Sequence, residues 1–230
     1  LCGIKPVIVH GGGPFINQEM QRKGIKPKFI DGLWVTKESD VQLVNQVLSK
    51  VNKNICSEIE SLGGKAYSLY GKDGIVNVRA HKESSRVGFV GEVDSVDTTP
   101  LSAVMLKGHI PVISPLGIGL DDHRIYNVNA DCASSQIAIA LKAIKLALLT
   151  DVDGIMSHTG DIVSSIDLDG IKKNIQEKII KGGMVPKVNA CVRALECGVK
   201  KAHIINGNIA HALLLEIFTK KGIGTEITLS

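Results

Sequence analysis

Aromatic residues are scarce: Trp, Tyr and Phe make up 3% of the 230 residues. A core must then be filled by Val, Ile, Leu and Ala, the residues of parallel strands and of the helices that cover them. Paired cysteines are lacking as well. Cys2, Cys56, Cys132, Cys191 and Cys197 are odd in number and match no metal-ligand spacing. They argue against a disulfide scaffold or a zinc site and read as free thiols in a reducing compartment. No apolar run reaches the roughly 20 residues needed to span a bilayer. The best stretch, 137–149, is broken by Lys142 and Lys145. No signal-peptide pattern precedes the first strand-like run, and because the chain begins at Leu1 rather than Met, further residues are expected ahead of it. There is no basic block with interleaved aromatics, so a net charge of +4 leaves no footprint for nucleic acid. That mildly basic balance suits anionic small molecules.

What is present is a globular composition, 44% hydrophobic and 22% charged. Short β-branched runs bounded by Gly and Pro alternate with longer stretches of helical period, which predicts βαβ units and an α/β fold built on a mainly parallel sheet. Strands are expected at 6–9, 66–70, 110–114, 145–150, 201–205 and 226–229, and helices at 15–23, 37–62, 99–107, 130–141, 166–181, 185–198 and 209–218. Val41, Val44, Val47, Leu48, Val51, Ile55, Ile59 and Leu62 mark one face of the long second helix, for core packing or a subunit contact. Between 76 and 96 the spacing of Val76, Val78, Val87, Phe89, Val90 and Val93 is that of short antiparallel strands, a flap over a site. No internal repeat or low-complexity tract interrupts the chain. The second βα series places a lobe boundary near residue 147, giving lobes 1–147 and 148–230.

Three constellations carry chemistry. In PVIVHGGGPFINQEM a β-run leads through Gly11, Gly12 and Gly13 to Pro14 at a helix start. Such a turn either cradles an anion on backbone N–H groups and a helix dipole or is simply tight. It matches neither the Walker nor the Rossmann fingerprint. His10, just before it, reads as a satisfied structural histidine or as an acid or base. In RIYNVNADCASSQIA, Asn127, Asn129 and Asp131 alternate on an extended segment and project to one side, to hold a substrate's amide or carboxylate and orient ammonium groups; otherwise they form a helix cap with turn asparagines. LLTDVDGIM delivers Thr150, Asp151 and Asp153 to a Gly turn at a strand end, and IIKGGMVPKVNAC sets Lys187 near a helix start beside glycines. Strand-end loops bind ligands in open α/β sheets, and a lysine so placed neutralises charge in phosphoryl transfer. Asp151 and Asp153 could hold a metal or form a solvated turn.

The strings VIVHGGG, FIDGLWVT, VNKNICSEIESLGGKA, YGKDG, GFVGEV, PVISPLG, YNVNAD, LLTDVDGI, GGMVPKVNA and GIGTEI, in this order, resemble the N-acetylglutamate kinases of the amino acid kinase family over essentially the whole chain. The resemblance implies an open, mainly parallel sheet of about eight strands between helices. It implies an N-lobe for the acyl amino acid, with the dimer contact, and a C-lobe for ATP. It further implies that Gly12 and Gly13 meet substrate and γ-phosphate, that Asn127 binds substrate with Asn129 in support, and that Lys187 acts on the transferring phosphoryl group. Asp131 would position the catalytic lysines. Asp151, Val152, Asp153, Gly154, Ile155 and Met156, with Ile179, Ile180 and Lys181, resemble the nucleotide loops. Mg²⁺ would ride on the ATP phosphates, with no metal site of the protein's own, and the carboxylate nucleophile would need no general base.

Two departures stand out. The family's strand bearing a Lys and a Gly-Gly turn over the phosphates does not occur in this sequence, so residues 1–230 alone are expected to be inactive. Trp34 stands at the substrate-binding position where the family has an arginine for the α-carboxylate, a contact worth about 1.5–3 kcal/mol. Trp34→Arg is therefore expected to lower the KM for N-acetylglutamate. The run HALLLEIFTKKGIGTEI resembles the arginine-responsive branch, which implies an allosteric arginine site at Glu216, Gly222 and Gly224; alternatively it is an amphipathic terminal helix capped by glycine. Feedback inhibition by arginine, a homo-oligomer (dimer or hexamer), a PII-protein partner and a cytoplasmic or plastid-stromal location complete what the resemblance implies.

Overall fold

A computed structural model describes residues 3–30, 33–219 and 222–230. Cys2 lies outside the described residues. The elements run in the order β1 (Ile8–Val9), α1 (Gly13–Arg22), β2 (Phe29–Ile30), β3 (Leu33–Trp34), α2 (Glu38–Ser61), β4 (Ala66–Leu69), β5 (Val76–Ala80), α3 (Ser84–Val87), β6 (Gly91–Val96), α4 (Thr99–Leu106), β7 (Ile110–Ile113), β8 (Leu116–Gly119) and β9 (Ile125–Asn127). Then follow α5 (Ala130–Ala140), β10 (Lys145–Thr150), β11 (Ser165–Ile166), α6 (Leu168–Gln176), α7 (Met184–Glu196), β12 (Lys201–Asn206), α8 (Ala212–Phe218) and β13 (Thr225–Ile227). This is the α/β class expected from the alternation of strand and helix patterns.

The chain divides into two compact units, Leu1–Ala133 and Ser134–Ser230. The division falls within α5, a helix that no glycine or proline interrupts.

In the first unit β1, β7 and β4 form a wholly parallel sheet, with Ile8 opposite Val112 and Ser68 opposite the same residue from the other side. A second, mixed sheet runs β6-β5-β8-β9, and β5 and β6 are the antiparallel pair anticipated for 76–96. β2 and β3 pair Phe29 with Trp34. The buried stripe of α2 includes Leu43, Val44, Leu48, Asn52 and Cys56, spaced at helical intervals. It takes in a polar Asn52, while Leu62, expected on the apolar face, is 86% exposed. Asn52 is admitted because its amide satisfies polar groups at the ends of β4 and β7; Leu62 is the C-cap, where the stripe has already turned away. Ile16 and Met20 of α1 pack with Trp34, Leu43, Val44, Leu48 and Leu116 into one apolar cluster.

In the second unit β10 and β12 are parallel, β13 lies antiparallel to β12, and β11 adds parallel to β13. Val188, Cys191, Ala194 and Leu195 of α7 pack with Leu146, Leu148, Ala202 and Ile204 in one apolar cluster.

Gly71 marks the tightest approach in the first unit. A Cβ built there overlaps the backbone carbonyl of Leu116, which cannot yield as a side-chain tip would. Gly71→Ala is expected to destabilise the unit by about 1–3 kcal/mol, read as a lower urea midpoint at unchanged slope.

Candidate active site

β1 stops where His10 N–H donates to Ile113 O at 3.2 Å, and the chain turns through Gly11 and Gly12 into α1. Pro14 opens the helix, and no acidic residue lies in its first turn, so nothing on α1 itself offsets the positive end of its dipole. Among the described residues no acceptor is found for the Gly12 or Gly13 N–H. A Cβ on Gly12 would strike the Leu48 side chain, so α2 sits directly on this backbone. Ala130, at the start of α5, lies on the other side, 3.9 Å from where a Gly11 Cβ would be. Two N–H donors thus meet a helix start whose first turn carries no carboxylate, an arrangement suited to an anion.

Of the three residues expected to alternate on one extended face, only Asn127 lies on a strand. Its Nδ2 donates to Thr36 Oγ1 at 3.1 Å, and Thr36, itself buried, donates on to Trp34 O at 3.3 Å. The Asn127 amide is therefore held in a fixed orientation, and no partner is found for its oxygen among the described residues. Asn129 is the helix cap: its Oδ1 accepts from Cys132 N at 3.0 Å. Asp131 sits half-buried in the first turn of α5, where its charge suits the dipole. Helix onset at Ala130 breaks the period of two that would have aligned all three.

Trp34 is only 9% exposed and belongs to the apolar cluster beneath α1 and α2, its ring centroid 5.6 Å from that of Phe29. The side chain at this position thus fills core volume.

In the second unit the loops after β10 and β12 are clipped together. Asn206 Nδ2 donates to Asp153 Oδ1 at 2.6 Å, Gly207 N–H to Thr150 O at 2.8 Å, and Thr150 Oγ1 to Asp151 Oδ1 at 3.2 Å. Both loops leave the carboxyl ends of parallel neighbours, the usual ligand-binding edge. Gly154, at φ 141°, lets Ile155 N–H reach Thr225 Oγ1 at 2.9 Å. Ile155 and Ile180 are buried in the core cluster with their N–H groups already bonded, whereas Val152 and Met156 are partly exposed side chains. Ile179 and Ile180 N–H both donate to Asn174 O, and Lys181 is exposed just before Gly182 and Gly183. Lys187 is half-buried in the first turn of α7, which also lacks acidic residues.

Glu216 is buried in a cluster whose other members the sequence did not single out. Its Oε1 lies 2.7 Å from His203 Nδ1 and 3.8 Å from Lys145 Nζ, and its Oε2 accepts from Ile223 N–H at 3.0 Å. Glu226 lies 3.6 Å from His203 Nε2. Burial, then Lys145, pushes the His203 pKa down, while Glu216 and Glu226 pull it up. Gly222, at φ 63°, closes over the Glu216 carboxylate: a Cβ there would come within 2.8 Å of Oε2. On Gly224 a Cβ would overlap Ile204 O. The charge on β10, β12, α8 and β13 meets only in three dimensions, and alternation along each strand was the one available signal.

The chain matches the amino acid kinase family across residues 2–206. It is 48% identical over 231 residues to the acetylglutamate kinase of Thermoanaerobacter sp. strain X514, covering 98% of this chain and 77% of that protein. With the acetylglutamate kinase of Heliobacterium modesticaldum the identity is 46%, over 99% of this chain and 82% of the relative. Among solved structures, smu.665 of Streptococcus mutans UA159 superposes with a TM-score of 0.88 at 28% identity, covering 100% of this chain and 88% of that one. The N-acetylglutamate synthase of Neisseria gonorrhoeae, solved with coenzyme A and N-acetyl-glutamate, gives 0.88 at 25%, covering 99% of this chain and 53% of that one.

Proposed function

The chain belongs to the amino acid kinase family, and from that premise we propose that it transfers the γ-phosphoryl group of ATP to the side-chain carboxylate of N-acetyl-L-glutamate. Acetylglutamate kinases at 43–48% identity along nearly the whole chain support the acceptor. The observation that carries the chemistry is the Gly11–Gly13 turn, whose N–H donors lead into a helix end without acidic residues.

In this reading a carboxylate oxygen forms the new bond to γ-phosphorus as the bond to the ADP oxygen breaks, giving an acyl phosphate and ADP. The acceptor is already ionised near neutral pH, so no proton moves and no general base is required. The loose transition state spreads charge over the phosphoryl oxygens, leaving the protein to position and neutralise. Gly12 and Gly13 donate N–H groups to that charge, Lys187 adds its ammonium, and Asp131 orients the catalytic cations. Asn127, held by Thr36, presents its amide to the acyl amino acid, and Asn129 supports it through the α5 cap. The loops at Asp151–Met156 and 179–181 take the nucleotide, with Mg²⁺ arriving on its phosphates. ADP release by the full-length protein on a panel of N-acetylglutamate, glutamate, aspartate and carbamate is expected to favour N-acetylglutamate. Preference for another acceptor, or no turnover on this one, would sink the assignment.

The Glu216 cluster supports a second element, feedback inhibition by arginine at Glu216, Gly222 and Gly224. A buried carboxylate ringed by a closing glycine loop suits a guanidinium or ammonium ligand. Glu216→Gln keeps the shape and the bond from Ile223 but removes the charge. The arginine concentration for half-inhibition, measured against each protein's own uninhibited rate, is expected to rise at least about tenfold, the equivalent of one charge-assisted contact. An unchanged value would place any arginine site elsewhere.

A further inference from the structure

We infer that His10 is a positioning residue for phosphoryl transfer, holding the Gly11–Gly12 peptide so that the Gly12 N–H stays presented at the start of α1. The inference rests on the kinase reading above. Its geometry does not.

The tautomer of His10 follows from its neighbours. Asn52 Nδ2 lies 2.9 Å from Val112 O and 3.3 Å from Leu69 O, two pure acceptors, so the amide nitrogen and not its oxygen must occupy that end. The same nitrogen is 3.2 Å from His10 Nε2. Gly11 O, beside Nδ1, can only accept, so the single ring proton resides on Nδ1 and Nε2 is the bare nitrogen facing the amide, whose two protons it shares with the two carbonyls. Nδ1 donates to Gly11 O at 2.8 Å. The peptide that follows is planar and trans, so a carbonyl held against the ring turns the Gly12 N–H to the opposite side. Leu48, packed where a Gly12 Cβ would be, and the His10 N–H bond to Ile113 O restrain the same turn.

Among the described residues the ring's side-chain bonds go to Asn52 of α2 and the Gly11 carbonyl, and Asn52 in turn meets Cys56 and the carbonyls of Leu69 and Val112. The Cys56 thiol closes the network 3.8 Å from Asn52 Oδ1, and burial raises its pKa and keeps it protonated. Burial lowers the His10 pKa, with the Gly11 carbonyl opposing, so the neutral ring persists to a lower pH than in an exposed histidine. Protonation would set an Nε2–H against the Asn52 amide. A contribution of this kind is fully present above the ordinary histidine pKa and is lost as pH falls toward the lowered one.

Two variants separate the ring's two contacts. In His10→Asn the side-chain amide can place a donor where Nδ1 was and loses the Nε2 acceptor. In His10→Gln the acceptor toward Asn52 survives and the short-range donor is lost. If the Gly11 carbonyl is what matters, His10→Gln lowers kcat about 10- to 100-fold with little change in the KM for ATP, the scale of a small misplacement of a transition-state donor. His10→Asn restores most of the rate and removes the acidic limb of the pH profile. Imidazole ¹⁵N resonances of the wild-type protein should show a protonated Nδ1 and a bare Nε2 through neutral pH. Equal losses in both variants beside an active wild type, or a protonated Nε2, would overturn the inference. All rates are those of the full-length protein; if it is inert, the kinase reading is overturned, while the ¹⁵N spectrum would still decide the geometry.

Discussion

Lys187→Met is expected to lower kcat on N-acetylglutamate about 10²- to 10³-fold, with a melting temperature close to that of the unaltered protein. The size follows from the chemistry. Removing one fixed charge aimed at a transition state typically costs two to three orders of magnitude, because the charge is positioned before the reaction and needs no reorganisation. Local structure makes the fold tolerant of the change: Lys187 lies in the first turn of α7, half-buried, and methionine is similar in length and a comparable helix former. The core side of the helix, with Val188, Cys191 and Ala194 all fully buried, is untouched. Lys187→Arg keeps the charge on a wider, planar group and should recover only part of the rate. The KM for ATP is the discriminating readout. A lysine serving ground-state binding would raise KM and spare kcat; one acting on the phosphoryl group in flight lowers kcat and leaves KM within a few-fold. A kcat within threefold of the unaltered protein would remove Lys187 from the mechanism.

The long helix 37–62 and the strands at 145–150 and 201–205 were legible because each carries a period over enough residues to exceed chance. β2, β3 and β11, two residues each, offer no period at all and exist through their partners. Within α2 the period misled in detail. Val51 and Ile55 drew the face one way, while the residue that enters most deeply is Asn52, fully buried through bonds to residues 10, 69 and 112. No local pattern announces such a residue. The glycine turn and Lys187 could be singled out because their context, a strand end and a helix start, is itself written in the sequence. Thr36, which fixes Asn127 from 91 positions away, and the four-element cluster around Glu216 were not. Asn129 shows the reverse case: two readings, substrate contact and helix cap, were open, and the cap is what its Oδ1 makes.

Trp34 fills core volume, and Trp34→Arg is expected to move both stability and acceptor binding. Its ring is packed among Ile16, Met20, Leu43, Val44, Leu48 and Leu116, joining α1, α2 and β8. Losing a buried tryptophan costs about 3–5 kcal/mol, and a guanidinium placed there without a partner carries a desolvation penalty that its aliphatic stem only partly offsets. The free variant should therefore unfold at clearly lower urea. Bound acceptor alters the balance, because an α-carboxylate can pair bidentately with an arginine and cannot with an indole. At 100 times its Kd a ligand adds about 2.7 kcal/mol, so a tighter-binding variant gains more from the same N-acetylglutamate concentration. The expected result is a double signature: a lower KM for N-acetylglutamate, and a stability deficit that narrows as the acceptor is added. Trp34→Phe, which retains apolar volume and offers no charge, should lose less stability and show neither acceptor effect. Should Trp34→Arg leave KM and the acceptor-dependent stabilisation unchanged, the carboxylate is held by other residues, and Trp34 serves the core alone.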